Sequence, residues 1–141
     1  MSWLNLDRRK QYAALPWRMG VAGVEVLLVT SRGTGRWIIP KGWPMARRSG
    51  AEAAQQEAWE EAGVRGAVDP VALGAFVYAK REEPHRHFTV QVFALAVETV
   101  LDDWPERGQR IRRWMSPAQA AAAVDEPQLK ALLAAFGPPG A

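Results

Sequence analysis

The stretch GWPMARRSGAEAAQQEAWEEAGV, residues 42–64, places three glutamates within five residues at the end of an alanine-rich helical pattern. Ser49 followed by Glu52 is a capping box, in which each side chain satisfies a backbone N–H at the start of a helix. Gly63 suits the left-handed conformation that ends many helices. The sequence therefore predicts a helix over residues 50–62.

Glu57, Glu60 and Glu61 fall on one side of this helix, because at 100° per residue they span an arc of roughly 100°. Like charges three or four residues apart destabilise a helix by about 0.2–0.5 kcal/mol per pair. A divalent cation would offset this repulsion, and oxygen ligands without His or Cys favour Mg²⁺, Mn²⁺ or Ca²⁺. For such a pattern in isolation, a solvated acidic face is the commoner explanation.

Outside this helix, runs of apolar, β-branched and aromatic residues are interspersed with alanine-rich segments. Ser116 followed by Pro117 predicts the start of a second helix, and Pro127 that of a third. A loop rich in Gly, Pro and Arg is expected over residues 40–50, and a loop around Pro84 is expected to join two strands. This mixture favours one α/β domain with a mixed sheet. The predicted strands lie at residues 23–32, 36–39, 72–82, 87–98 and 110–115, and the third helix runs to residue 136.

Length and composition indicate one globular domain of 141 residues, of which 48% are hydrophobic and 23% charged. No cysteine is present, which excludes disulfides and thiolate metal sites. The N-terminal residues lack the apolar run of a signal peptide, and no stretch is apolar enough to span a membrane. We expect a soluble cytoplasmic domain spanning residues 1–141, with flexible ends at residues 1–10 and 137–141 and no membrane partner.

The chain is basic, with a formal net charge of +3 and a sequence pI of about 9.7. Its arginines recur in predicted loops, where they would suit a nucleic acid, an acidic membrane or a small polyanion. A solvated basic surface is the commonest case for so modest an excess. No nucleic-acid-binding motif is present, and most of the seven tryptophans are expected in the core. A nucleic-acid partner is therefore not expected.

Residues 42–64 resemble the signature of the Nudix hydrolases, G-x5-E-x7-R-E-U-x-E-E-x-G-U, in which U is an aliphatic residue. The structural glycines Gly42 and Gly63 stand in register with it, as do the three glutamates and the closing Val64. The resemblance implies a single Nudix-type α/β/α sandwich with a mixed β-sheet and the catalytic helix at residues 50–62.

Two positions depart from the signature. Arg48 and Gln56 stand where the family usually has a glutamate and an arginine, which form a supporting pair. Losing both members of the pair leaves no lone charge uncompensated. Glu52 lies one turn before Gln56 and is expected to hydrogen-bond to it.

The resemblance also implies the chemistry of the site. Mg²⁺ or Mn²⁺ is expected on Glu57, Glu60 and Glu61 together with the backbone carbonyl of Lys41. All three glutamates are then catalytic, and Glu60 is the implied general base that activates a water molecule.

The likeness extends to the diphosphoinositol polyphosphate phosphohydrolases and the dinucleoside polyphosphate hydrolases. It is carried mainly by EVLLVTSRGTGRWIIPKG, residues 25–42, and QRIRRWMSPAQA, residues 109–120. It implies that Ser31, Arg32 and Arg110 contact substrate phosphates. The ammonium of Lys41 is also in a position to reach a phosphate.

Together these features predict a metal-dependent hydrolase that cleaves a phosphoanhydride bond in a small polyanion. The substrate is expected to be a nucleoside diphosphate-linked compound, a dinucleoside polyphosphate or a diphosphoinositol polyphosphate. The departures at Arg48 and Gln56 motivate an alternative, a catalytically weak domain that binds a nucleotide or polyanion as a sensor. Retention of all three helix glutamates favours the hydrolase, since a pure binder does not need a base. The sequence does not distinguish the substrate, the oligomeric state, or which further acid completes the site among Glu82, Glu83, Glu98 and Glu106.

Overall fold

The computed structural model describes residues 9–80 and 82–138, so most of the predicted flexible ends lie outside the described residues. The strands are β1 Lys10–Gly20, β2 Gly23–Thr30, β3 Trp37–Ile38, β4 Lys41–Gly42, β5 Val64–Val68, β6 Gly74–Lys80, β7 Glu83–Val100 and β8 Arg112–Met115. The helices are α1 Gly50–Glu57, which continues as a π-helical segment over Ala58–Ala62, α2 Pro117–Ala123 and α3 Pro127–Ala134. None of the described helices is long and apolar enough to cross a membrane.

Parallel pairing between β1 and β7 forms the centre of an eight-stranded sheet, and the other strand pairs are antiparallel. The strand order is β3-β2-β1-β7-β5, while β8 pairs with β2, β6 with β7 and β4 with β1. The sheet is mixed, as the sequence predicts.

Alternating side chains along the central strands divide the core between the two faces of the sheet. Leu15 and Leu28 face one side, where they belong to a cluster with Leu129 of α3. Leu27 faces the other side and belongs to a cluster with Ala54 of α1. The sheet therefore lies between α1 on one face and α2 with α3 on the other, and the predicted α/β/α sandwich is confirmed.

Helix α1 begins and ends at the residues that the sequence predicts, but its last turn is not α-helical. The Ser49 hydroxyl accepts a hydrogen bond from the Glu52 N–H at 3.1 Å, and the Glu52 carboxylate accepts one from the Ser49 N–H at 2.8 Å. The last turn, Ala58–Ala62, is π-helical, and Gly63 ends it with a left-handed φ of 67°. A π-helical turn is wider than an α-helical one, and such turns are frequent at functional sites.

Arg112 ties the end of this helix to the neighbouring loop. Its guanidinium donates to the carbonyl oxygen of Ala62 at 2.9 Å and to that of Leu101 at 2.7 Å. The same guanidinium lies 3.9 Å from the centroid of the Trp104 ring. The carbonyl groups that a helix end leaves without partners are thus satisfied by a side chain from β8.

The sequence analysis did not predict β1 or β5. β1 contains Pro16 and lacks an alternation of apolar and polar residues, because it pairs on both edges and is covered on both faces. Lys10 begins this strand and does not belong to a flexible end. β5 is short, and a bulge between Arg65 and Gly66 interrupts its pattern.

Three further expectations are wrong. Pro84 lies in β7 and not in a loop, because β6 and β7 pair as far as Lys80 and Glu83. A proline this close to the first residue of a strand is compatible with pairing. Lys41 and Gly42 form the short strand β4 in a segment expected to be a loop. None of the six tryptophans in the described residues is fully buried, and only Trp17, Trp37 and Trp114 pack against the margins of the two cores.

Gly63→Ala is expected to destabilise the fold. The left-handed φ disfavours alanine by about 1–2 kcal/mol, and the added Cβ would overlap the Trp104 ring and the Arg112 guanidinium. With an overpacking cost of about 1–3 kcal/mol, the free energy of unfolding should fall by about 2–5 kcal/mol in chemical denaturation. Gly33→Ala is the control, because a Cβ there meets open space, and it should change stability by less than about 0.5 kcal/mol. Equal stabilities of the two variants would contradict this account of the helix end.

Candidate functional site

Two glutamates from the end of the helix converge on the short strand β4. Glu57 and Glu61 are 9% and 6% exposed, and their carboxylates lie beside each other. The Lys41 N–H donates to Glu61 Oε1 at 3.3 Å. A Cβ at Gly42 would overlap the Glu57 carboxylate. Any larger residue at position 42 would therefore require the Glu57 carboxylate to move.

The two carboxylates strongly perturb each other. Burial, followed by the negative charge of Glu61, raises the pKa of Glu57 to about 8. Burial also raises the pKa of Glu61, and the positive charge of Arg110 opposes this rise. Two carboxylates in one dry site do not both ionise without a compensating cation. A divalent cation with oxygen ligands fits this pair, because it would replace the proton that the pair otherwise retains.

Glu60, the third predicted metal ligand, is engaged elsewhere. Its Oε1 accepts a hydrogen bond from Gln56 Nε2 at 3.1 Å. Across residues 9–80 and 82–138, no group of three or more His, Cys, Asp or Glu side chains is arranged to hold a metal ion. The structure brings Glu57 and Glu61 together and leaves Glu60 bound to Gln56.

The two residues that depart from the signature form a hydrogen-bonded chain to Glu60. Arg48 Nη1 donates to Gln56 Oε1 at 3.2 Å, and Gln56 in turn donates to Glu60. The expected hydrogen bond between Glu52 and Gln56 is wrong, because the Glu52 carboxylate caps the helix at Ser49. The amide oxygen and nitrogen of Gln56 thus link the Arg48 guanidinium to the Glu60 carboxylate.

Arg110 lies among the carboxylates, with a side chain that is only 8% exposed. Its Nε donates to Glu106 Oε1 at 2.9 Å, its Nη1 donates to the Thr30 carbonyl at 3.1 Å, and its Nη2 lies 3.6 Å from Glu61 Oε2. Of the four further acids left open by the sequence, Glu106 alone lines the same cleft as Glu57 and Glu61. Of the other three acids, Glu82 lines a second, neighbouring cleft, Glu83 lies beside Arg86, and Glu98 lines a separate cavity.

The remaining predicted substrate residues divide between two neighbouring clefts. Arg32 and Lys41 line the cleft of about 420 Å³ that contains the carboxylates, and Arg32 Nη1 donates to Gln109 Oε1 at 3.1 Å. Ser31 and Lys41 line a second cleft of about 640 Å³. The Ser31 hydroxyl also accepts a hydrogen bond from the Arg36 N–H at 3.2 Å, which stabilises the turn between β2 and β3.

Lys41 lies at the border between the two clefts. Its N–H points to Glu61, while its Nζ donates to Tyr78 Oη at 3.4 Å and lies 4.6 Å from the ring centroid. Burial lowers the pKa of the Lys41 ammonium, and the charge of Glu61 opposes this effect. Tyr78 donates its own proton to Gln11 Oε1 at 2.7 Å. The ammonium is therefore held on the side of the second cleft.

The sequence analysis missed Glu126, a buried acid in the wall of the second cleft. Its Oε2 accepts a hydrogen bond from Arg36 Nη1 at 2.6 Å, and its buried Oε1 has no hydrogen-bond partner among the described residues. Glu126 directly precedes Pro127 at the start of α3. In a sequence such a residue looks like an ordinary acid before a helix, so no pattern points to its burial.

Comparison with known proteins identifies relatives of this chain. A family model described as the NUDIX domain matches residues 10–136. Nudix hydrolase 12, mitochondrial, from Arabidopsis thaliana is 35% identical over 102 residues, which cover 69% of this chain and 50% of that protein. Diphosphoinositol polyphosphate phosphohydrolase 3-alpha from Mus musculus is 39% identical over 93 residues, which cover 64% of this chain and 54% of that protein. The chain thus spans about half the length of these two relatives.

Solved structures share the fold. An Ap4A hydrolase from C. elegans superposes with a TM-score of 0.66 at 18% identity, over 89% of this chain and 92% of that chain. A NUDIX hydrolase from Nitrosomonas europaea superposes with a TM-score of 0.69 at 19% identity, over 89% and 86% of the two chains. At these identities the likeness concerns the fold alone.

The raised pKa of Glu57 predicts how the stability of the metal-free protein depends on pH. The folded-state pKa is about 8 against an ordinary 4.5. The stabilisation from the protonated side chain is therefore complete below the ordinary pKa and is lost as pH rises towards the folded-state value. We expect the Tm in the presence of a chelator to fall between roughly pH 5 and pH 8.

Glu57→Gln removes the titrating group and should flatten this fall in Tm. Glu98→Gln, which changes an exposed glutamate outside the cleft, should retain it. An unchanged pH dependence in Glu57→Gln would contradict the buried carboxylate pair.

Proposed function

The chain belongs to the Nudix hydrolase family, and we propose that it hydrolyses a phosphoanhydride bond with Mg²⁺ or Mn²⁺ as its cation. Nudix hydrolases generally use divalent metal cations. The observation that carries the proposal is the buried pair of Glu57 and Glu61 against the bare backbone of Gly42. This burial disfavours the alternative of a solvated acidic face.

We assign the cation to Glu57 and Glu61, together with the backbone carbonyl of Lys41. When bound there, the cation would neutralise phosphate charge and make a bound water more acidic. Glu61 is oriented by the Lys41 N–H, and Arg110 lies beside it. Glu106 is the acid that we assign to complete the site, because it shares the cleft and is fixed by Arg110.

We assign the general base to Glu60. Gln56 holds Oε1, and no other hydrogen bond engages this carboxylate among the described residues. Oε2 is therefore available to accept a proton from water. A general base must be held within hydrogen-bond reach of the proton that it removes. The chain from Arg48 through Gln56 supplies that orientation in place of the usual supporting pair.

Positive charge near the carboxylates supports a small polyanionic substrate. Arg32 is exposed at the cleft, and Lys41 lies at its border with the second cleft, where Ser31 is also placed. Arg110 is mostly covered by its contacts with Glu61 and Glu106 and would act on the substrate mainly through its charge.

Nucleoside diphosphate-linked compounds, dinucleoside polyphosphates and diphosphoinositol polyphosphates are the substrate classes that we propose. The name of the mouse relative supports the last of these classes. A cytoplasmic location stays a prediction, since the names of Arabidopsis relatives include mitochondrial and chloroplastic Nudix hydrolases.

A binding module without turnover is the second candidate, motivated by the departures at Arg48 and Gln56. The hydrogen-bonded chain that these two residues form favours the hydrolase. It orients the Glu60 carboxylate, which a module that only binds nucleotides would not need.

Metal binding is expected to stabilise the protein and to be required for hydrolysis. Mg²⁺ or Mn²⁺ should raise the Tm, because the folded carboxylate pair binds the ion and the unfolded chain does not. Glu61→Gln should abolish both this rise and phosphate release from a panel of diphosphate substrates. Glu98→Gln should preserve both. A wild-type protein whose Tm and phosphate release are indifferent to these ions would overturn the proposal, and a Tm rise without turnover would favour the binding module.

Interrupting the chain to Glu60 is expected to slow the chemical step. Gln56→Leu removes a hydrogen bond to a charged group, worth about 1.5–3 kcal/mol, so kcat should fall roughly tenfold to a hundredfold with little change in KM. The control is Gln55→Leu, because Gln55 donates to the Gly66 carbonyl and does not contact Glu60. Its kcat should stay near that of the wild type. A Gln56→Leu variant with full kcat would show that Glu60 needs no such orientation.

A further inference from the structure

Trp43 directly follows Gly42 and lines the cleft that contains Glu57 and Glu61. It is 44% exposed. The other tryptophans in the described residues, at positions 17, 37, 59, 104 and 114, are all more covered. An exposed indole forgoes the burial that stabilises aromatic residues elsewhere in the fold. An exposed aromatic ring at the mouth of a polar cleft is therefore a candidate for ligand contact.

The Trp43 ring is held in position by its neighbours. Pro44 restricts the Trp43 backbone to extended conformations. The ring meets the edge of Phe88, with centroids 5.6 Å apart and an angle of 67° between the planes. Lys80 Nζ lies 5.9 Å from the ring centroid. Nearly half of Trp43 nevertheless stays open, so the ring offers a fixed aromatic surface beside the carboxylates.

Two of the three basic side chains in the same cleft are already engaged by protein groups. Arg110 is already paired with Glu106 at 2.9 Å, and the Lys41 ammonium lies against Tyr78. Arg32 is the one exposed basic side chain among those of the cleft, so a ring that carries many phosphates would find few free basic partners besides the cation. The charged residues that line the cleft are Arg32, Lys41, Arg110, Glu57, Glu61 and Glu106.

The apolar part of the cleft favours a ligand of a different kind. Pro44, Met45 and Ile38 line it together with Trp43. A ligand that combines one diphosphate with a flat apolar group would match both halves of the cleft. A nucleoside linked to a diphosphate has this composition.

We propose that Trp43 stacks against the base of a nucleoside-linked substrate and so selects such substrates over nucleoside-free polyphosphates. Every base has a π face, so stacking on an indole provides affinity without choosing among bases. The inference rests on the proposed function and specifies its substrate class. The base would lie on Trp43 while the diphosphate lies at Glu57 and Glu61.

The kinetic test compares Trp43→Leu, which keeps apolar bulk, with Trp43→Phe, which keeps an aromatic face. The nucleoside-linked probes are ADP-ribose and diadenosine tetraphosphate, and the nucleoside-free probes are a diphosphoinositol polyphosphate and inorganic tripolyphosphate. Trp43→Leu should raise KM for the nucleoside-linked probes roughly fivefold to a hundredfold with kcat nearly unchanged. Trp43→Phe should recover most of this loss, and KM for any nucleoside-free probe that is cleaved should not change.

Equal losses on both kinds of probe, or a Trp43→Phe variant as impaired as Trp43→Leu, would overturn the stacking role while leaving the hydrolase standing. Cleavage of nucleoside-free probes alone by the wild type would do the same. Failure of the wild type to cleave any probe with Mg²⁺ or Mn²⁺ would instead count against the proposed function.

A binding measurement tests Trp43 independently of turnover. Stacking of ADP on the indole should quench tryptophan fluorescence of the wild type. Trp43→Phe should lose this quench but still bind ADP in calorimetry, whereas Trp59→Phe, which changes an indole outside the cleft, should keep the quench. Absence of ADP binding, or a quench that survives in Trp43→Phe, would overturn the inference even if the protein proves inactive.

Discussion

Two carboxylates held side by side out of water are the constraint on which the rest of the site depends. Each is costly to ionise in a dry environment and costlier beside the other. Gly42 contributes bare backbone at the point of closest approach, so Glu57 fits against β4. Arg110 supplies the facing positive charge, and its own position is fixed by Glu106 and by the Thr30 carbonyl. The features around the pair thus compensate for placing negative charge at the end of an alanine-rich helix.

The departures from the family signature preserve its connectivity with different chemistry. A glutamate and an arginine at these two positions would form a charge pair, whereas Arg48 and Gln56 form a chain of two hydrogen bonds that ends on Glu60. An amide serves as the connecting group because it both accepts and donates. In this chain the arginine, Arg48, stands in the loop before the helix, and the helix position is occupied by the neutral Gln56. The orientation of Glu60 thereby depends on hydrogen-bond geometry more than on net charge.

The sequence predicts local structure well, and it places Glu57 and Glu61 on one side of a helix, because both depend on short spacing. Ser49, Glu52 and Gly63 mark the ends of this helix through backbone chemistry that operates within a few residues. The side-chain contacts that the sequence does not predict join segments that are far apart in the chain. Glu126 reaches the second cleft only because α3 packs across the sheet, and Gln11 meets Tyr78 only because β1 and β6 flank β7. Such contacts depend on tertiary packing, which no local pattern encodes.

The pairing of β1 with β7 has a consequence for how the chain folds. Lys10 pairs with Thr89, so the centre of the sheet joins segments far apart in the chain, and β5 and β6 then pair with β7 as well. Contacts between distant segments slow folding, because loop closure must precede the gain from pairing. During synthesis helix α1 leaves the ribosome well before β7 does. Until β7 emerges, the apolar alanine face of this helix stays uncovered, and the nascent chain would benefit most from a chaperone during this interval.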